Sequence, residues 1–104
     1  MFGKVTEFMP MKHVERKLGK YGIQLVHFIP GRIRLQSAEW KENDNLVDKI
    51  TKKLQAQPFV FFIQSTKETG SLVITYDASY ITNMKELEAW FGILDEVYVN
   101  GFVR

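Results

Sequence analysis

The chain has 104 residues, 45% of them apolar, and its 14 basic and 12 acidic residues leave a formal net charge of +2. This length and balance are typical of one folded domain, and they exclude a disordered chain, which combines low hydrophobicity with high net charge. The absence of cysteine excludes a disulfide framework, thiolate metal ligation and thiol catalysis.

The first predicted element is a short helix that begins at Pro10. Proline suits the first helical turn, where a missing N–H costs nothing, and Gly19 or Gly22 can end the helix. The apolar residues recur at spacings of three and four, which is the period of one buried helix face. They are Met11, Val14, Leu18 and Tyr21. We assign residues 1–22 to an N-terminal helical extension and residues 23–104 to the main domain.

Positive charge is concentrated at the front of the chain. Residues 1–35 contain seven basic and two acidic residues, whereas residues 36–104 contain seven basic and ten acidic residues. A basic front can attract phosphate, lipid headgroups or an acidic partner, although cations on a short helix and a strand also simply solvate a surface. The predicted basic patch consists of Lys12, Arg16, Lys20, Arg32 and Arg34.

Residues 23–36 predict a strand that is interrupted by a Pro-Gly pair. Proline cannot donate to a sheet ladder, and glycine often marks a bulge or a bend. Beyond the interruption, Ile33 and Leu35 alternate with Arg32 and Arg34. We therefore expect the arginines to face solvent or a partner while the aliphatic residues are buried.

The second half of the chain predicts two more helices and three more strands. A helix is expected over residues 46–54, a β-hairpin over the apolar runs 59–63 and 72–76, a third helix over residues 84–94, and a last short strand over residues 97–99. The helical periodicity places four apolar residues against the sheet, namely Ile50, Leu54, Leu87 and Phe91.

From residue 23 onward the predicted order is strand, helix, strand, strand, helix, strand. This is the ferredoxin-like βαββαβ pattern, an α+β sandwich in which two helices cover one face of a four-stranded antiparallel sheet. Residues 59–63 nevertheless place bulky apolar side chains on both faces of their strand. We expect the N-terminal helix, from the same chain or a second one, to cover the other face. The predicted interface consists of Met11, Val14, Leu18, Tyr21, Phe59, Phe61 and Phe62.

Three segments resemble the heavy-metal-associated domains, and more closely their cysteine-free branch. They are HFIPGRIRLQS (27–37), NLVDKITKKLQAQPFVFFIQ (45–64) and TGSLVITYDASYI (69–81). These domains occur in bacteria, often next to metal-transporting P-type ATPases. The resemblance covers about residues 26–91, and it implies the same ferredoxin-like fold and a link to metal transport.

Metal-carrying members of that family hold a soft ion with a Cys-x-x-Cys loop between the first strand and the first helix. The corresponding loop here, residues 37–45, has no sulfur ligand, so we predict no metal site of that kind. Non-thiol ligands are the alternative. The thioether and imidazole candidates are Met9, Met11 and His13, and the carboxylate candidates for a hard cation are Glu39, Glu42 and Asp44.

The sequence contains no phosphate-binding Gly-rich loop, nucleophile elbow or His-Glu-x-x-His helix, so we expect neither enzymatic activity nor a cofactor. His27 stands in a predicted strand without a catalytic partner motif, and we interpret it as a structural or surface residue. We predict a non-enzymatic binding or regulatory module that makes protein–protein contacts through the sheet face or a strand edge. A transport ATPase, another protein and a second copy of the chain all remain open as partners.

A nucleic-acid-binding module has the same order of elements, and it is the third functional alternative. We do not expect nucleic acid, because the strand that would stack bases, residues 71–77, has Tyr76 as its single aromatic residue. No apolar run reaches the roughly 20 residues of a membrane-spanning helix, and no secretory leader opens the chain. The expected location is cytoplasmic, with peripheral membrane contact by the basic helix left open.

Overall fold

The computed structural model describes residues 14–79 and 84–103. In chain order, the elements are the described part of helix α1 (14–19), strands β1 (Gln24–Ile29) and β2 (Arg32–Gln36), a 3₁₀ helix (Ala38–Lys41), helix α2 (Asp44–Gln55), strands β3 (Val60–Thr66) and β4 (Ser71–Tyr76), and helix α3 (Met84–Val103). The four strands form one antiparallel sheet in the order β1-β2-β4-β3. The predicted α+β, ferredoxin-like class with a four-stranded antiparallel sheet is confirmed.

The predicted single strand over residues 23–36 is a β-hairpin. Pro30 and Gly31 form its two-residue turn, and Ile29 pairs with Arg32 across it. Gly31 has a φ of 90°, which suits the second central position of a turn that has proline at the first. The sequence interpretation of this Pro-Gly pair as an interruption was therefore incomplete, because it starts a new strand. β1 occupies the sheet edge beside β2 as a result.

The predicted strand over residues 97–99 is wrong, because these residues continue α3. Val97 and Tyr98 lie three and four positions after Leu94, and all three are buried in the core. Local strand propensity is therefore overridden by a helical stripe that packs against the rest of the domain. Together with the β1–β2 hairpin, this places all four strands within residues 24–76.

The hydrophobic core lies between one sheet face and the helices. Ile33 and Leu35 of β2 and Leu72 and Ile74 of β4 provide the center of the sheet side. The four predicted sheet-facing helix residues are all buried in this core, so the predicted helix faces are confirmed: Ile50, Leu54, Leu87 and Phe91.

Helix α1 belongs to the same core and lies on the same side of the sheet as the other helices. Val14 and Leu18 are buried in that core. Tyr21 stacks on Tyr98 of α3 with ring centroids 4.6 Å apart, and its hydroxyl donates to the Asp95 carboxylate. The prediction that this stripe covers the opposite sheet face is therefore wrong for its described residues. The extended α3 offers α1 an apolar surface that the sequence interpretation had assigned to a strand.

Candidate interaction surface

The sheet face opposite the helices, called the open face below, is defined by two rows of residues that pair across the strands. The first row is Ile29, Arg32, Thr75 and Phe62, and the second is His27, Arg34, Val73 and Gln64. Alternation along each strand places these rows opposite the core residues. Val73 is 8% exposed, but none of the eight residues belongs to the contiguous hydrophobic cluster that the described helices share with the sheet.

The open face carries positive charge without its own counterions. The four strands contain no aspartate or glutamate, and exposed Arg32 and Arg34 stand on the central strand β2. Ion pairs within the described residues join Lys52 to Asp48 at 3.2 Å and Lys67 to Asp44 at 3.3 Å, and neither involves an arginine. Both guanidinium groups are therefore available to an external anion.

Exposed apolar side chains flank the arginines. Ile29 and Phe62, at the two ends of the first row, are 45% and 52% exposed. Three strand spacings separate them, or about 14 Å. Phe61, next to an irregularity in the β3–β4 register, is 59% exposed, and Phe59 is also exposed. The structure thus places all three predicted interface phenylalanines at the surface, near the β1–β2 turn.

The predicted basic patch is divided between two sides of the molecule. Arg32 and Arg34 face outward on the open face, whereas exposed Arg16 lies on α1 in the helix layer and exposed Lys20 lies in the turn that follows it. Lys12 lies outside the described residues, as do Met9, Met11 and His13. The structure therefore brings the strand arginines together but does not join them to the cations of α1.

The loop that corresponds to the family's metal-binding loop is filled by a buried aromatic side chain. Trp40, in the 3₁₀ helix, is 2% exposed, and its Nε1 donates to the Tyr98 hydroxyl at 2.9 Å. Burial raises the pKa of the Tyr98 hydroxyl to about 12, while hydrogen bonds with Trp40 and Ser37 oppose the shift. Tyr98 is therefore a neutral phenol at physiological pH, and its hydrogen bond with Trp40 joins the loop to α3.

The acidic side chains of this loop do not converge. Glu39 Oε2 accepts a hydrogen bond from Asn43 Nδ2 at 3.3 Å, and Asp44 pairs with Lys67. Among residues 14–79 and 84–103, no group of three or more histidine, aspartate or glutamate side chains could hold a metal ion. Glu39 and Asp44 thus have partners within the protein instead of a shared ligand position, and the third candidate, Glu42, is exposed.

The contact between Trp40 and Tyr98 was not predicted from the sequence. Tyr98 was assigned to a strand, which removed it from the helix layer that contacts the loop. An aromatic residue within the otherwise polar stretch 37–45 was the available signal. Such a residue often anchors a loop to the core by its large buried surface.

None of the helices within the described parts of the chain is long and apolar enough to cross a membrane.

Comparison with known proteins gives one family assignment. The family model described as heavy metal associated domain 2 matches residues 8–93, which run from before the described part of α1 into α3. No curated protein and no solved structure is detectably similar to the chain. The match covers most of the chain and agrees with the antiparallel sheet and its helical layer. The chain therefore belongs to the heavy metal associated domain 2 family.

Proposed function

We propose that the protein is a non-enzymatic binding module whose open face binds an acidic segment of a partner protein. The observation that carries this proposal is the pair Arg32 and Arg34, exposed on a face whose strands contain no carboxylate. Arginine and aromatic residues are enriched in protein interfaces, and Ile29 and Phe62 add apolar area on both sides of the pair.

The family assignment supports a link to metal transport. Because related domains stand next to metal-transporting P-type ATPases, an acidic cytoplasmic segment of such a transporter is the partner we favour. The buried side chain of Trp40 lies in the loop that holds the ion in cysteine-containing relatives. This favours a domain that contacts a partner protein over one that carries a metal ion itself. The module would therefore act in a metal pathway through its partner.

Pairing of two open faces is disfavoured by charge. A two-fold axis through this face would bring Arg32 and Arg34 of one copy toward the same residues of the other. Like charges opposed across an interface cost several kcal/mol when they are desolvated. An acidic partner neutralises these cations instead, which is why we favour it over face-to-face self-association.

The proposal is tested with a fluorescent glutamate-rich peptide and two charge-reversal variants. Arg32→Glu combined with Arg34→Glu alters the open face, and Arg16→Glu combined with Lys20→Glu makes the same change in net charge on α1. We expect the first variant to lose binding in fluorescence anisotropy and the second to retain most of it.

Equal losses in both variants would mean that net charge, not the open face, attracts the peptide. No binding to the wild-type protein would also contradict the proposal. Stronger binding to a single-stranded oligonucleotide than to the peptide would favour the nucleic-acid alternative, which the shared order of elements leaves as the competing function.

A further inference from the structure

The two edges of the sheet differ in how their backbone groups are satisfied. At the β3 edge, the Gln55 side chain of α2 acts like a short piece of neighbouring strand. Its Nε2 donates to the Phe61 carbonyl oxygen at 3.3 Å, and its Oε1 accepts from the Ile63 backbone N–H at 3.2 Å. Because unpaired strand edges attract further strands, this amide protects the β3 edge from addition.

The β1 edge has no such protection within the described part of the chain. Its pairing is with β2 alone, and no hydrogen bond from a described helix or loop reaches residues 24–29. Five of the six β1 residues are exposed, and none of them is a lysine, proline or acidic residue. A groove of about 520 Å³ lies between α1 and the first half of β1, and Glu15, Gly19 and Val26 are among the residues that line it.

We propose that the β1 edge accepts an extended acidic segment of the partner as a fifth strand. This inference rests on the proposed function and states how the partner is held. Main-chain hydrogen bonds to an edge strand provide affinity, and alternate side chains provide specificity. The open groove supplies room for the added backbone, while the capped β3 edge makes β1 the available position.

Charge complementarity identifies the chemistry of the added strand. On the open-face side, its residues would lie beside His27 and Ile29, which pair with Arg34 and Arg32. Two strand spacings, about 10 Å, separate the added backbone from β2, a distance that a carboxylate and a long arginine side chain bridge together. On the core side, its residues would lie beside half-exposed Phe28. The segment therefore alternates acidic and apolar residues.

A second copy of the chain fits this edge less well. Its β1 strand contains no acidic residue, so it would bring His27, not a carboxylate, toward Arg34. The arginines would remain without counterions after such a pairing. The acidic segment satisfies both the backbone edge and the charges, and for this reason we commit to it.

The experiment measures backbone hydrogen exchange with and without a nine-residue peptide of alternating valine and glutamate. At a peptide concentration ten times its Kd, we expect exchange in β1 to slow by about tenfold, because exchange then occurs only from the free protein, about one molecule in eleven. Exchange in β3 should be unchanged. A peptide of alternating valine and lysine is the charge control, and it should leave both strands unaffected.

Gln55→Ala is the matched variant, because it removes the amide that caps β3 without altering β1. Faster exchange at Ile63 is expected in the free variant, and the valine–glutamate peptide should now protect β3 as well as β1. Protection of β1 alone in the wild type and of both edges in the variant would establish strand addition.

Other outcomes overturn the inference in distinguishable ways. If peptide binding requires Arg34 but leaves hydrogen exchange in β1 unchanged, strand addition at the β1 edge is contradicted and the proposed function is retained. If no acidic peptide binds, both the strand addition and the proposed function are contradicted. A doubled mass in solution, with β1 protected before peptide is added, would assign the edge to a second copy of the chain.

Discussion

The two ends of the sheet are built in contrasting ways. At one end, which we call the closed end, β2 leads into Ser37 and the buried Trp40, and Gly70 precedes β4. The Ser37 backbone N–H donates to the Gly70 carbonyl oxygen at 2.9 Å. At the other, exposed end, the β1–β2 turn and the start of β3 present Ile29 and Phe61 to solvent.

This difference indicates where the molecule has freedom to bind. The closed end includes the loop that the sequence resemblance aligns with the metal-binding loop of cysteine-containing relatives, but here Ser37 bonds with Gly70 and the side chain of Trp40 is buried. The exposed end keeps apolar side chains and unpaired arginines at the surface. Substitutions should therefore reduce stability at the closed end and reduce binding at the exposed end.

Trp40→Ala should produce the largest effect. Truncating a buried tryptophan leaves a cavity and removes the donor to Tyr98, so we expect the free energy of unfolding to fall by about 3–5 kcal/mol in urea denaturation. Phe61→Ala is the control from the exposed end, and a change within about 0.5 kcal/mol is expected there. Equal losses of unfolding free energy from the two substitutions would contradict the proposed difference between the closed end and the exposed end.

Gly70→Ala should be the next most damaging change. An added Cβ would collide with the Ser37 carbonyl oxygen, and Gly70 has a φ of 66°, a left-handed conformation that alanine rarely adopts. We expect a loss of about 2–4 kcal/mol in the same measurement. Gly19→Ala is the matched control, since nothing lies within 4 Å of its added Cβ. A Gly70→Ala protein as stable as wild type would show that the closed end is loosely packed.

Alkaline pH should reduce the stability of the domain in part through Tyr98, which contacts the closed end. The pKa of Tyr98 is raised to about 12, whereas an unfolded tyrosine has a pKa of about 10. The folded state therefore holds the proton more tightly, and stability is full below about pH 10 and falls as pH rises toward 12, by at most about 1.4 kcal/mol per unit. Unfolding measured between pH 9 and 11 should show this slope, and Tyr98→Phe should reduce it. An unchanged slope in that variant would assign the effect to other groups.

Metal addition should produce the smallest effect. Because Trp40 is buried within the loop and both Glu39 and Asp44 have partners within the protein, we expect no stoichiometric submicromolar site for Cu(I) or Zn(II) in a calorimetric titration. A tight site would contradict the comparison. Its loss after replacement of Met9, Met11 and His13 would assign it to the N-terminal segment, and its survival would assign it to the acidic loop.

Alternation and helical period predicted the parts of the fold that depend on one buried face. Ile33 and Leu35 were correctly separated from Arg32 and Arg34, because a half-buried strand shows its two faces directly in the sequence. Leu54 likewise follows from helical spacing. These residues are positioned by local periodicity, and no knowledge of the neighbouring element is needed to place them.

The wrong predictions concern segments whose apolar pattern shows that they are buried but not which part of the protein they pack against. The stripe that includes Val14 and Leu18 shows that α1 is buried on one side, but it does not tell whether α3 or the open face covers it. Val97 and Val99 have the composition of a strand, yet only packing after Leu94 decides for a helix. The outward orientation of Arg32 and Arg34 was therefore predicted correctly, whereas the expected cover of the open face was wrong for the described residues of the N-terminal segment.

The capping of β3 by Gln55 has a consequence for stoichiometry. A sheet with two receptive edges can receive a strand at each, and repetition of such contacts leads to open-ended polymers. With one edge occupied by its own side-chain amide, this sheet can be extended in a single direction only. With strand addition at β1 as proposed, copies of this domain could not pair through both of their edges, so the glutamine would prevent an open-ended chain of copies joined edge to edge.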